Sequence, residues 1–135
     1  MCASGIVQPW VSKLFWIALG GGAGSALRYA LARWVQQDRP GFPLGTLTVN
    51  VVGCLVMGFL ATRFETGSVD PRIRIGVLVG VLGGFTTFST FSWETLKLIQ
   101  NHDVLRATLN AGGSLVSCMT AVWLGQTLAR RMSMP

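Results

Sequence analysis

Charge is scarce in this chain, and so are the residues that charge-based chemistry needs. Only 12% of its 135 residues are charged, while 50% are hydrophobic and the mean hydropathy is +0.52. Soluble domains carry roughly 25% charged residues, and disordered chains carry still more. Both classes are excluded in favour of an integral membrane protein. There is one histidine, His102, and the five acids leave no carboxylate pair inside the apolar runs. A Ser/His/Asp set, a Cys/His nucleophile or a carboxylate dyad therefore cannot be assembled within the membrane, and the chain is not expected to be an enzyme. The cysteines Cys2, Cys54 and Cys118 are odd in number and form no CxxC or other metal-binding spacing. Cys54 and Cys118 are expected to act as small buried hydrophobes. The net charge of +6 is spread over segment ends instead of one face, which argues against nucleic acid as a partner.

What is present is long uncharged sequence. Residues 14–27, 40–62, 75–93 and 107–129 hold no charge. A crossing of the hydrocarbon core needs roughly 20 mostly apolar residues. The chain therefore reads as one domain, 1–135, of four transmembrane helices at about 14–35, 45–64, 73–99 and 104–128. Both termini and the middle loop then share one side, with Lys13, Arg63, Arg72, Arg74, Arg130 and Arg131. The other side holds Arg33, Arg39, Lys97 and Arg106. Orientation follows the Lys/Arg bias of short loops. Six against four is a weak bias, so the chain either keeps one orientation or inserts both ways and pairs with an opposite copy.

Each segment carries a small set of polar groups. In the first, Gly20, Gly24 and Arg28 share one face at four-residue spacing. The glycines suit close helix packing in lipid. Arg28 lies about 10 Å inside the end of the apolar run, so it either snorkels or faces protein and a watery vestibule that attracts anions. In the second, Asn50 sits one turn after Thr46 and must find partners, as interhelical glue or as a ligand. The third contains Gly83-Gly84-Phe85-Thr86-Thr87-Phe88-Ser89-Thr90-Phe91, followed by Glu94. Two glycines cost about 2 kcal/mol of helix propensity, which predicts a break near the middle of the helix. Freed backbone groups cannot face lipid and must be buried or bind an ion. Oxygen donors there suit a hard cation. Phe88 and Phe91 share a face beside the hydroxyls of Ser89 and Thr90, and a phenyl edge is electropositive enough to face a small anion. In the fourth, Gly113, Ser117, Ala121 and Gly125 form a small-residue stripe, next to a face bearing Ser114 and Cys118.

These motifs, in this order, resemble the Fluc (CrcB-type) fluoride channels from about residue 14 to residue 128. The match rests on the run from Gly20 to Tyr29, the run from Gly45 to Asn50, and the run from Gly83 to Phe91 with Glu94. The resemblance implies an all-α, multi-pass inner-membrane protein that assembles as an antiparallel, dual-topology homodimer with two pores. It implies one structural sodium ion held by backbone carbonyls of Gly83 and Thr86 from each chain. It implies a fluoride path edged by Phe88 and Phe91, with Asn50, Ser89, Thr90, Ser114 and Cys118 on its polar side. Arg28 then corresponds to the vestibule arginine and Glu94 to a pore-adjacent acid. The implied activity is passive export of cytoplasmic fluoride, which reduces its toxicity. The family commonly has Ser or Thr where this chain has Cys118, and a thiol is a weaker donor.

Two other classes compete. A small dual-topology multidrug exporter needs a carboxylate in its binding site, and the first segment has none. A non-transporting scaffold subunit accounts for the glycine stripes but not for a phenylalanine pair beside a break. Neutral donors opposite ring edges suit conduction of a strongly hydrated anion, because binding must permit both entry and exit.

Overall fold

A computed structural model describes residues 9–37 and 41–132. Cys2 and Arg39, counted above, lie outside the described residues. Every regular element among the described residues is helical: α1 (Pro9–Gln36), α2 (Leu44–Thr66), α3 (Pro71–Ile75), a π-helical stretch (Gly76–Val81), α4 (Leu82–Phe85), α5 (Phe88–Gln100) and α6 (Val104–Arg131). From α3 to α4 the chain runs as one rod, and Thr86 and Thr87 separate it from α5. Leu44–Glu65 and Pro71–Gln100 are long and apolar enough to cross a bilayer. The chain is an all-α membrane protein. Helices α1 and α6 extend beyond the apolar runs read from the sequence. At 28 residues each they are about 42 Å long.

Local chemistry fixes the ends. Asp70 caps α3 by accepting from the Arg72 N–H at 2.7 Å, with Pro71 at the first helical position. Asp103 caps α6 by accepting from Arg106 N–H at 3.2 Å, and its carboxylate also pairs with the Arg106 guanidinium. Helix α2 has no side-chain cap at its N-terminus from its own N-cap residue, Pro43. Its Gly45 N–H instead donates to Oε1 of Gln36 at 3.0 Å, so the end of α1 satisfies the start of α2.

Glycines set the packing. Gly20 and Gly24 on α1 lie against the backbone of Gly76, Gly80, Val81 and Phe85, where a Cβ has no room. Contacts advance together along both elements, so α1 and the rod are parallel. Gly58 on α2 lies against the Val122 backbone, and Gly125 on α6 against Leu55 and Phe59. Helices α2 and α6 are separated by two chain reversals and also run parallel. The buried face of α6 is Ala107, Asn110, Ser114, Ala121, Gly125 and Ala129. The stripe expected from the sequence therefore needs correction at its start: Gly113 is exposed, a Cβ there would meet no other helix among the described residues, and only Ala121 and Gly125 of that set are buried. Large apolar side chains point outward instead of inward, including Phe15, Leu105, Leu115, Met119 and Trp123. That distribution suits contact with hydrocarbon or with another chain, not water.

Candidate functional site

The break falls one step later than the glycine pair suggests. Gly83 and Gly84 are helical, and the chain leaves the helix at Thr86 and Thr87, both extended. Gly84 is needed for proximity: a Cβ there would sit 2.5 Å from the Gly21 carbonyl oxygen. The break is held by two side chains. Asn50 acts as a substitute peptide, accepting from Thr87 N–H at 2.8 Å and donating through Nδ2 to the Thr87 carbonyl at 3.1 Å. The Thr87 hydroxyl oxygen accepts from Thr90 N–H at 3.2 Å, capping α5. In an unbroken helix Thr87 N–H would close on the carbonyl of Gly83, and Thr90 N–H on that of Thr86. Both donors are diverted. The carbonyls of Gly83 and Thr86 are thereby left without their backbone partners. Two hard oxygen donors released by one rearrangement fit a hard cation such as sodium.

Asn50, Phe88, Phe91, Ser114 and Cys118 surround one cavity of about 490 Å³, together with Cys54, Met57, Thr86 and Thr87. The two rings are adjacent, with centroids 5.4 Å apart and planes tilted by 42°. Phe88 is 78% exposed on the single chain. Ser114 is only 7% exposed, and its hydroxyl has no hydrogen-bond partner among the described residues. A buried hydroxyl without a partner is unusual in a folded protein. Of the Asn50 amide, one N–H is used on Thr87 and one remains.

Ser89 and Thr90 do not line that cavity. Ser89 is exposed, with its hydroxyl 3.3 Å from that of Thr87. Thr90 lines a second cleft of about 290 Å³ with Ser25, Arg28, Tyr29, Thr46 and Thr87. Arg28 therefore faces a protein cleft in which it makes no ion pair among the described residues. Thr87 lines both spaces and forms the wall between them. Glu94 lines neither. It accepts from the Thr46 hydroxyl at 2.9 Å, and its second oxygen is buried without a partner among the described residues.

Sequence reasoning missed the role of Thr87, and it missed Asn110, which is 2% exposed and donates to the Thr95 hydroxyl at 2.8 Å. A signal was present. Thr46, Asn50 and Cys54 step along α2 by fours, and Asn110, Ser114 and Cys118 step along α6 in the same way. The other hydroxyls of α6 behave as expected of such residues in helices. Those of Ser117, Thr120 and Thr127 donate to carbonyls four residues back.

The chain as a whole is similar to known proteins. A curated protein of Methylococcus capsulatus is 46% identical over 126 residues, 90% of this chain. The chain spans about half of that relative's length, 54%. A protein of Geobacter metallireducens is 43% identical over 118 residues, covering 86% of this chain and 95% of its own. One of Opitutus terrae is 48% identical over 126 residues, covering 88% and 93%. All three are named fluoride-specific ion channel FluC. The model of the family described as CrcB-like protein, Camphor Resistance (CrcB), matches residues 15–126, and the chain belongs to that family.

Proposed function

We propose that this chain is a fluoride-specific channel that lets cytoplasmic fluoride leave down its gradient. The observation that carries the reading is the unpartnered, buried hydroxyl of Ser114 in a cavity shared with the spare Asn50 N–H and the Phe88–Phe91 pair. Neutral donors and electropositive ring edges replace part of an anion's hydration shell without a fixed cationic trap. The cleft holding Arg28 is the entry. Its guanidinium attracts anions there, and Thr87 passes them to the inner cavity.

The working unit is an antiparallel homodimer of four-span chains in the inner (plasma) membrane. Support comes from the exposure of Phe88 on one chain, the outward apolar side chains, and the near balance of basic residues on the two sides. Gly83 and Thr86 supply carbonyls for a structural sodium ion, two from each chain, and the diverted donors of Thr87 and Thr90 support that assignment. The ion offsets the desolvation of those carbonyls and takes no part in conduction.

The test is fluoride efflux from liposomes containing only this protein, read with a fluoride electrode. Rapid efflux with an imposed gradient, and none of chloride, is the expected result. No fluoride efflux above that of protein-free liposomes would overturn the reading.

A further inference from the structure

Three sulfur side chains, those of Cys54, Met57 and Cys118, line the inner cavity. Fluoride conduction uses none of them as a strong donor. The two cysteines are free thiols, half-buried, and both line this cavity. Their proximity follows from helix register. Gly58 meets the Val122 backbone at the contact between α2 and α6, and these two residues differ by 64 in number. Cys54 and Cys118 differ by the same 64 and lie one turn earlier on the same faces of parallel helices. Met57 stands on the cavity side of α2 close to Cys54.

We propose that Cys54, Met57 and Cys118 form a binding site for a soft monovalent cation, Cu(I) or Ag(I), and that its occupancy closes the inner cavity. Two thiols and a thioether match soft, low-coordinate metals and not hard ones. Among the described residues no group of three or more His, Cys, Asp or Glu side chains is placed to hold a metal. A four-ligand zinc site is therefore not available here. Charge and proton count identify the ion. With a +1 ion the neutral bound state is one thiolate, one thiol and one thioether, and binding releases one proton from the thiol that becomes thiolate. A divalent ion reaches neutrality only with both thiols deprotonated, which releases two protons. The closure half of the proposal rests on the fluoride reading, whereas the metal site does not.

The probe is Ag(I), added to the full chain in chloride-free buffer with Cys2→Ser as background. Native mass spectrometry should show one silver ion per chain, and the near-ultraviolet thiolate–metal band should saturate at one equivalent with one proton released. Cys54→Ser with Cys118→Ser should weaken binding by about 100-fold or more. Absence of stoichiometric binding to the background protein would overturn the site, however the variants behave. Equal binding by the double variant would overturn it too. In liposomes, saturating Ag(I) should lower fluoride efflux at least about tenfold, and a thiol chelator should restore it. Full efflux with silver bound would overturn the closure. If no fluoride efflux occurs before silver is added, the channel reading fails and the closure with it, while the titration still decides the site.

Discussion

Replacing Asn50 by alanine removes the one side chain that substitutes for helix backbone at the break. Two hydrogen bonds disappear, of 2.8 and 3.1 Å, and both peptide groups they satisfied belong to Thr87, which is buried. A buried donor or acceptor left unsatisfied costs about 1–3 kcal/mol. The pair sums to about 2–6 kcal/mol, and access of water through the adjoining cavity places the expected loss near the lower half of that range. For a chain of this size such a loss lowers the melting temperature by on the order of 10 °C. The assay is the folded fraction after heating, read by size-exclusion chromatography, for Asn50→Ala, Asn50→Asp and the parent. Asn50→Asp keeps the acceptor for Thr87 N–H but sets a carboxylate oxygen against the Thr87 carbonyl, so it is expected to melt low and to block anions. An Asn50→Ala protein that melts with the parent would refute the claim that this amide holds the break.

Phe88→Ile and Phe91→Ile keep apolar bulk and remove the ring quadrupole, so each is expected to cut fluoride flux sharply at a stability cost under about 1.5 kcal/mol. Normal flux in the double variant would reduce the pair to packing. Gly84→Ala forces a Cβ to 2.5 Å from Gly21 O, whereas the Cβ added by Gly22→Ala meets no other element within 4 Å among the described residues. The first should lose about 1–3 kcal/mol and the second should be neutral or gain up to about 1 kcal/mol, and equal melting of the two variants would contradict the close approach of α1 and α4. Exchange of sodium for a bulky organic cation should lower dimer stability and flux together, measured by thermal denaturation and liposome efflux. Unchanged flux in strictly sodium-free medium with an intact dimer would remove the ion from the account.

Charge-free runs made the helices legible, because an uncharged stretch of sufficient length has few places to go except a membrane. The break was legible too, since paired glycines followed by paired threonines weaken a helix. Its position was not. Helix propensity treats Gly84 as a breaker, but tertiary contact with Gly21 uses it as a spacer, and the helix survives through Phe85. The competition that ends the helix is made by Asn50, 37 residues away from Thr87 in sequence, and no local pattern contains it. The α6 stripe failed at Gly113 for a related reason. Four-residue spacing identifies a face but not the partner: the neighbouring face is the buried one, with Asn110 bonded to Thr95 of α5 and Gly125 against α2. Ser89 and Thr90 were grouped with Phe88 and Phe91 by adjacency, yet successive helix positions point in different directions, so one hydroxyl went to the surface and the other to the Arg28 cleft.

Ser114→Ala separates conduction from folding more cleanly than any other substitution. The Ser114 hydroxyl has no hydrogen bond to lose among the described residues, so its removal is expected to leave thermal stability unchanged or to raise it by up to about 1–3 kcal/mol. If that hydroxyl serves a passing anion, fluoride efflux from liposomes should fall at least about tenfold, since one lost donor to an ion is worth about 1.5–3 kcal/mol. Efflux equal to the parent's, from a variant at least as stable, would contradict the assignment of this cavity as the fluoride path.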